Sequence, residues 1–319
     1  MQRRFVLSAA LAAALVASGT LAHASEQIGV LMLHGKSPGH PRDPNFSPLK
    51  TRFEQEGWKV LLPDMPWSRS RYLEGNWDGA MAEIAAHVQT LRTQGATRIV
   101  LVGHSMGVPA ALSHAARGGD AQALVLLAPG HVPQTYYTAP SMQVVRESID
   151  KARALVAAGQ GDTPERFYDI NQRRQQPVVA TARNFLSYFD PASDAEMSIT
   201  AGKIPASTPV MTVVGENDPL FSRLRGYMAD KLPANPKTQY LEVGGGHLDT
   251  ARLAGEDVVK WIKGAVADWR LPLSARPTAG ARYKTCHRGT AGAKHLRGVR
   301  SVPPRPQRWC GRPLCTGCG

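Results

Sequence analysis

The sequence predicts an α/β fold, a mainly parallel sheet with helices on both faces. The stretches Ile28–Leu33, Ile99–Val102 and Ala123–Gly130 are short and almost wholly apolar. Strands have this composition when both faces of a parallel sheet are covered. Between the first two stretches lies Asp78–Gln94, whose apolar residues recur at helical spacing. Strands that alternate with helices need crossover connections, and crossover connections produce a parallel sheet.

The rest of the central region continues this alternation, so one domain over residues 25–270 accommodates it. Further strands are predicted at Lys59–Asp64, Val210–Val214 and Thr238–Val243. Further helices are predicted at Leu49–Glu56, Phe221–Leu232 and Gly255–Trp269, besides one that ends near Arg117.

The motif Gly103-His104-Ser105-Met106-Gly107 stands between the strand Ile99–Val102 and an Ala-rich helical run. It spells G-x-S-x-G in the strand-to-helix setting of a nucleophile elbow. In an elbow, a tight turn lifts the serine hydroxyl above the sheet edge. The N–H groups at the start of the following helix face a developing oxyanion. A serine in an ordinary glycine-rich turn is the alternative, and it accounts for the five residues but not for their setting.

Residues 131–208 interrupt the alternation of strands and helices. They show no clear strand and several helix-like runs, such as Met142–Ala158 and Pro164–Arg174. We expect a helical cap over the carboxyl edge of the sheet, where it would exclude water and shape a substrate pocket. A pair of ordinary crossover helices is the alternative.

The formal net charge of +13 comes from the two ends of the chain. Eleven Lys and Arg residues and no acidic residue follow position 269, whereas residues 25–269 hold 25 basic and 25 acidic residues. This neutral body gives no electrostatic reason to expect nucleic acid or an anionic membrane surface as a partner.

The basic segment 271–319 also differs in composition. It holds all four cysteines, so the body can form no disulfide. Pro, Gly and Arg dominate it without apolar periodicity, which predicts a disordered or non-native tail, such as the product of a shifted reading frame. Zinc binding is the alternative, although the spacing of Cys286, Cys310, Cys315 and Cys318 matches no zinc finger well.

Residues 1–24 have the pattern of a secretory signal peptide. Arg3 and Arg4 form a basic start, Phe5–Val16 is apolar but short for a membrane span, and Ala22-His23-Ala24 is a small-x-small cleavage pattern. The mature protein is therefore expected to start near Ser25, in the periplasm or secreted, with no stable membrane anchor.

Ser105 is followed along the chain by an acid and a base at suitable places. Asp218 comes after the predicted strand Val210–Val214, and His247 comes after the last predicted strand. The carboxyl ends of parallel strands share one sheet edge, where open α/β sheets bind ligands. A serine needs a base to become a strong nucleophile, and the base needs an orienting acid. Glu216 is an alternative acid, two residues nearer the strand.

These motifs resemble those of the α/β-hydrolase fold family in identity and in the order Ser, Asp, His. The resemblance covers Ile28–Trp269. It rests on His34-Gly35, Gly103–Gly107, Gly215-Glu216-Asn217-Asp218-Pro219 and Gly245-Gly246-His247. It implies a serine esterase or lipase-like enzyme with a cap insertion. Such an enzyme cleaves a small acyl substrate through an acyl-enzyme, with no metal and no cofactor.

The same resemblance implies a role for each residue. Ser105 is the nucleophile, His247 is the general base and then the acid, and Asp218 orients His247. The backbone N–H groups of Met106 and Lys36 form the oxyanion hole. Lys36 departs from the H-G-G-G pattern, because it occupies the third place of that motif.

The motifs leave other functions open. Amide or peptide hydrolysis and acyl transfer could use the same triad, and a non-catalytic binding protein could use the same scaffold. A binder has no need to keep nucleophile, base and acid in order, which favours an enzyme. Among other conspicuous side chains, His34, His104 and His131 are expected to be structural or packing residues. The aromatic loop with Trp67 and Tyr72 is expected to pack rather than to bind a ligand.

Overall fold

The computed structural model describes residues 27–171 and 174–267. The strands of this part are β1 Ile28–Leu33, β2 Lys59–Leu61, β3 Arg98–Ser105, β4 Ala123–Pro129, β5 Pro164–Asn171, β6 Arg174–Thr181, β7 Val210–Gly215 and β8 Gln239–Val243. Six of them form one sheet in the order β2-β1-β3-β4-β7-β8, and every neighbouring pair is parallel. The predicted parallel sheet is confirmed.

The α-helices of the described residues are α1 Pro48–Gln55, α2 Trp77–Thr93, α3 Gly107–Ala116, α4 Pro133–Thr138, α5 Gln143–Ala157, α6 Ala182–Phe189, α7 Met197–Thr200, α8 Leu224–Tyr227, α9 Thr250–Leu253 and α10 Gly255–Val266. Short 3-10 helices lie at Pro140–Met142, Ala201–Lys203 and Ala229–Lys231. The helix predicted over Phe221–Leu232 is therefore broken into two short pieces. The two pieces are separated at Met228, whose backbone leaves the helical conformation, and Gly226, a poor helix former, weakens the first piece.

Side chains of the sheet alternate between two hydrophobic cores. Leu31 and Leu33 pack with α2 and α3 on one face, and Val30 and Met32 pack with α1 and α10 on the other. Helices on both faces are thus confirmed. The first core continues without a break into residues of the insertion such as Phe167, so the insertion is anchored on the sheet domain by apolar packing.

The insertion between β4 and β7 contains a β-hairpin as well as helices. β5 and β6 pair antiparallel, with Phe167 opposite Val178, so the helix predicted over Pro164–Arg174 is wrong. Helical spacing would have placed Phe167 on one face with Ile170. The strand instead puts Phe167 and Asp169 on one face, and both are fully buried. This stretch mixes few apolar residues with charged ones, so it has no decisive period of its own, and here pairing with β6 decides its structure.

The two ends of the chain are not part of the described structure. The predicted signal peptide 1–24 and the tail 271–319 with its four cysteines lie outside the described residues. Within residues 27–171 and 174–267, no helix is long and apolar enough to cross a membrane.

Helix α3 touches the sheet through its backbone. A methyl group on Gly107 would lie 1.9 Å from the carbonyl oxygen of Leu33, and one on Gly103 would lie 2.3 Å from the carbonyl oxygen of Gly107. Both glycines are needed because real Cβ atoms do not approach so closely. This close contact fixes the path of the chain through Ser105.

We expect Gly107→Ala to lower the free energy of unfolding by about 1–3 kcal/mol, the usual cost of overpacking. The added methyl group overlaps a carbonyl of β1 that is itself held in the sheet ladder. Urea unfolding monitored by circular dichroism measures the change.

Gly264→Ala is the matched control, because Gly264 lies in α10 with nothing near the position of a Cβ. Alanine's higher helix propensity should stabilise that variant by up to about 1 kcal/mol. A Gly107→Ala protein as stable as the wild type would show that α3 can move off the sheet without cost.

Candidate active site

Ser105 ends β3 in a backbone conformation that side chains rarely adopt. Its φ is +53°, and the register between β3 and β4 shifts at this residue. Met106 then turns the chain into α3. Non-glycine residues in this region are strained and persist only where the surrounding packing enforces them. The strand–turn–helix geometry predicted for an elbow is present, and Ser105 lines a cavity.

His247 and Asp218 meet Ser105 from the loops after β8 and β7. The Oγ atom of Ser105 lies 2.9 Å from Nε2 of His247, and Nδ1 of the same ring lies 2.7 Å from Oδ2 of Asp218. The carboxylate accepts the Nδ1 proton, which leaves Nε2 to accept the serine proton. The other carboxylate oxygen accepts the N–H of Leu220 at 2.8 Å. Three side chains from separate loops thus form one hydrogen-bonded chain.

Neighbouring carboxylates are placed differently. Glu216 is exposed, and Asp218 is the carboxylate that contacts the imidazole. The geometry therefore favours Asp218 as the orienting acid. Asp249 accepts the N–H of Gly246 at 2.8 Å and binds Arg252 at 3.1 Å, so it shapes the loop that carries His247.

His104 supports the His247 loop from the elbow. Its Nε2 donates to the carbonyl oxygen of His247 at 3.1 Å, and its ring stacks on Phe46 with centroids 5.5 Å apart. Burial and the nearby His247 lower the pKa of His104 to about 4, so this ring is neutral near pH 7. The packing role expected of His104 is confirmed, but its bond to the His247 backbone was not foreseen.

The loop after β1 is held by its own histidine. Nε2 of His34 accepts the N–H of Met65 at 3.1 Å, so Nδ1 carries the proton and donates it to the carbonyl of Gly35 at 2.7 Å. The indole N–H of Trp67 donates to the His34 carbonyl at 2.8 Å. His34 is structural, as expected, and the fully buried Trp67 packs against this loop.

The backbone amides of Lys36 and Met106 flank the serine. A methyl group on Gly35 would lie 3.3 Å from Cβ and 3.8 Å from Oγ of Ser105, so the peptide that carries the Lys36 N–H passes beside the hydroxyl. Within the described part of the chain, neither amide donates to a protein acceptor. Two such N–H groups beside a nucleophile can bind an oxyanion.

The side chain of Lys36 is bound by the insertion. Its ammonium lies 2.8 Å from both carboxylate oxygens of Asp169 and 3.1 Å from the hydroxyl of Tyr136. Burial opposes charge on both groups, but their attraction prevails. The pKa of Lys36 is raised and that of Asp169 is lowered, so both stay charged. Sequence reasoning missed Asp169. The available signal is an acidic residue two positions from Phe167, in a stretch whose pattern predicts a helix.

A cavity of about 840 Å³ opens over Ser105 and His247. Apolar side chains from both the sheet edge and the insertion line it, namely Pro129, Val132, Met142, Ile170, Leu220 and Leu248. Gly130 keeps its floor open, because a methyl group there would lie 2.7 Å from Oγ of Ser105. Sequence reasoning missed Gly130 as well. The available signal was a glycine directly after the strand that neighbours the elbow strand.

The arrangement suits attack on the carbonyl carbon of an acyl compound of small-molecule size. It combines a hydroxyl, an imidazole oriented by a carboxylate, and two N–H donors in an apolar cavity. No group of three or more His, Cys, Asp or Glu side chains that could hold a metal ion is found among the described residues.

Comparisons with known proteins agree on one fold. The model of the alpha/beta hydrolase family matches residues 30–261. Similar solved structures include a putative hydrolase from Agrobacterium vitis, at 18% identity and a TM-score of 0.54 over 74% of this chain and 88% of that one. Est1E from Butyrivibrio proteoclasticus with bound ferulic acid shows 17% identity and a TM-score of 0.53, over 76% of this chain and 91% of that one. A monoacylglycerol lipase from Paleococcus ferrophilus shows 18% identity and a TM-score of 0.53, over 74% of this chain and 94% of that one. No curated protein matches the chain in sequence.

His131, at the cavity wall, makes the stability of the fold depend on pH. Its Nε2 donates to the carbonyl of Tyr188 at 2.7 Å, and burial, together with the nearby Lys36 charge, lowers its pKa from 6.5 to about 3. As the pH falls below 6.5, His131 becomes protonated in the unfolded state, whereas in the folded state it stays neutral until about pH 3. Stability from this residue is therefore present above pH 6.5 and is lost as the pH falls.

Between pH 6 and pH 4 the free energy of unfolding of the wild type falls as the pH is lowered. We expect this slope to be smaller in His131→Asn by about 1 kcal/mol per pH unit. Asparagine does not titrate, and it tolerates the positive φ of +62° at this position. Urea unfolding at several pH values gives the slope. His40→Asn, in a surface loop, controls for the loss of a histidine as such. Equal slopes for the wild type and His131→Asn would contradict the argument.

Proposed function

Because the chain belongs to the alpha/beta hydrolase family, we propose that it is a serine hydrolase that cleaves a carboxylic ester through an acyl-enzyme. The hydrogen-bonded chain of Ser105, His247 and Asp218 beside an apolar cavity carries the proposal. The apolar lining favours an acyl or alcohol part with hydrocarbon character. The lipase of the same fold acts on an ester of this kind.

In the first step, Oγ of Ser105 attacks the ester carbonyl carbon while its proton moves to Nε2 of His247. The carbonyl oxygen becomes an oxyanion beside the N–H groups of Met106 and Lys36. Asp218 stabilises the imidazolium that forms. When the carbonyl re-forms, the bond to the alcohol oxygen breaks, the alcohol leaves with the proton from His247, and Ser105 remains acylated.

Water completes the cycle through the same groups. It loses a proton to Nε2 of His247 and attacks the acyl carbon, which forms a second oxyanion in the same place. The bond to Oγ of Ser105 then breaks, Oγ takes the proton from His247, and the carboxylic acid is released. Each group of the site is used twice, so its geometry must serve both halves of the reaction.

We expect Ser105→Ala to lower the turnover of a soluble p-nitrophenyl ester by about 10⁴- to 10⁶-fold. Asp218→Asn should lower it by up to about 10⁴-fold, because the amide presents the wrong tautomer of His247 to the serine. A fluorophosphonate should label the wild type and leave the Ser105→Ala protein unlabelled. Circular dichroism checks that each variant is folded.

Glu216→Gln is the matched control, since it also removes a carboxylate from the loop after β7 but at an exposed position. Its turnover should stay within about twofold of the wild type, as for surface changes that leave the site intact. More than about a tenth of wild-type turnover in purified Ser105→Ala would contradict the mechanism. A crippled Glu216→Gln beside a normal Asp218→Asn would reassign the acid.

We also propose that the protein is exported. The support is the basic start, the short apolar run and the cleavage pattern within residues 1–24. When the full chain is expressed in a Gram-negative host, protein recovered from the periplasm or the medium should begin at Ser25 by N-terminal sequencing. Arg3→Glu with Arg4→Glu should reduce that pool. Protein that stays in the cytoplasm and begins at Met1 would refute export.

A further inference from the structure

Three consecutive residues of β5 contact the loop that carries the Lys36 amide. Asp169 binds the Lys36 ammonium through both carboxylate oxygens at 2.8 Å, and the carbonyl of Ile170 lies 3.5 Å from the same ammonium. The side-chain amide of Asn171 donates to the carbonyl of Ser37, the next residue of the loop. The hairpin thus holds this loop at two adjacent residues, through side chain and backbone.

The ion pair at the centre of this contact is buried on both sides. The side chain of Asp169 is 0% exposed and that of Lys36 is 5% exposed. The Asp169 carboxylate also accepts the hydroxyl of Tyr72 at 2.6 Å and the amide of Gln176 at 3.1 Å. Separating such a pair would leave an uncompensated charge in an apolar environment, which is strongly unfavourable. The Lys36 ammonium and the hairpin therefore keep one relative position.

The position of this loop matters to the proposed reaction. The Gly35–Lys36 peptide lies beside Ser105, and the neighbouring Ser37 N–H donates to the carbonyl of Trp67 at 2.9 Å. The sheet domain thus holds the loop from one side, and the hairpin holds it from the other. Oxyanion donors act only within about 2.7–3.1 Å of the developing charge. A displacement of about 1 Å can cost 10²-fold in rate.

We infer that Asp169, assisted by Asn171, is a positioning residue that sets the second oxyanion donor through Lys36 and Ser37. The inference rests on the proposed ester hydrolysis. Asp169 acts through Lys36 and is not assigned a contact with the reacting atoms. The insertion then determines the rate of the chemical step, in addition to shaping the cavity.

The test is steady-state hydrolysis of one ester by the full-length Asp169→Asn protein. The substitution keeps the shape of the side chain and removes the charge that holds Lys36. We expect kcat to fall about 10- to 100-fold, less than the loss of a whole oxyanion donor, while KM changes less than about threefold. The Ki of a trifluoromethyl ketone, which forms a tetrahedral adduct with Ser105, should rise in parallel with the fall in kcat.

Asp190→Asn is the matched control. Asp190 also pairs with a cation of the insertion, Arg153 at 2.9 Å, at a partly buried place, but its partners belong to the insertion itself. Its kcat and inhibitor Ki should equal those of the wild type within about twofold. Thermal unfolding of all variants checks folding. A merely structural effect would lower the melting temperature, but it would not lower kcat selectively while KM stays nearly unchanged.

Asn171→Ala is the second variant, because Asn171 is only partly buried and its loss should not prevent folding. We expect its kcat to fall several-fold, with the inhibitor Ki rising alongside. Wild-type kcat and Ki in the folded Asp169→Asn and Asn171→Ala proteins would overturn the inference. In that case the Ser105-dependent turnover of the wild type would still support the proposed function. A wild type without such turnover would overturn both.

Discussion

The backbone contact between α3 and β1 fixes the position of Ser105, around which the candidate active site is built. Because Gly107 lies against the carbonyl of Leu33, the chain can leave β3 only through a sharp turn, and Ser105 takes a φ of +53°. The chain segments that follow the two strands beside β3 pass close to the Ser105 hydroxyl. The loop after β1 passes it at Gly35, and the chain after β4 passes it at Gly130, both without side chains. The space left open is the cavity.

The cavity is lined mainly by apolar groups, and the buried charges at its wall are compensated locally. Asp218 is bound by His247 and by a backbone N–H, and Lys36 is bound by Asp169. The buried rings of His104 and His131 avoid charge altogether, because burial lowers their pKa to about 4 and about 3. A charge that formed on a bound carbonyl oxygen would find these buried groups already paired or neutral. Fixed N–H dipoles act more strongly on such a charge beside an apolar lining than they would in bulk water.

The sheet, and the meeting of Ser105, Asp218 and His247 at its edge, could be predicted because their signals are local. Each buried strand is a continuous apolar run, and Ser105, Asp218 and His247 each follow a strand, so parallel topology alone brings them to one edge. The hairpin could not be predicted, because the apolar residues of β5 show no clear strand or helix spacing and the strand is stabilised by its pairing with β6. The pair of Lys36 and Asp169 could not be predicted either. It joins residues 133 positions apart, and no pattern in the sequence links them. Export and the nature of the tail remain predictions, since those residues lie outside the described structure.

Ionic strength affects the charges of this protein unequally. Ion pairs such as Arg92 with Asp120 and Arg117 with Asp194 face solvent, where dissolved ions at physiological concentration screen charges over about 8 Å. The carboxylates of Asp169 and Asp218 are only 0% and 1% exposed, so ions cannot approach them. Added salt therefore weakens the pairs on the outer surface more than it weakens the interactions of the buried carboxylates Asp169 and Asp218. High salt should therefore disturb the buried hydrogen bonds and ion pair around Ser105 less than it disturbs the ion pairs on the surface.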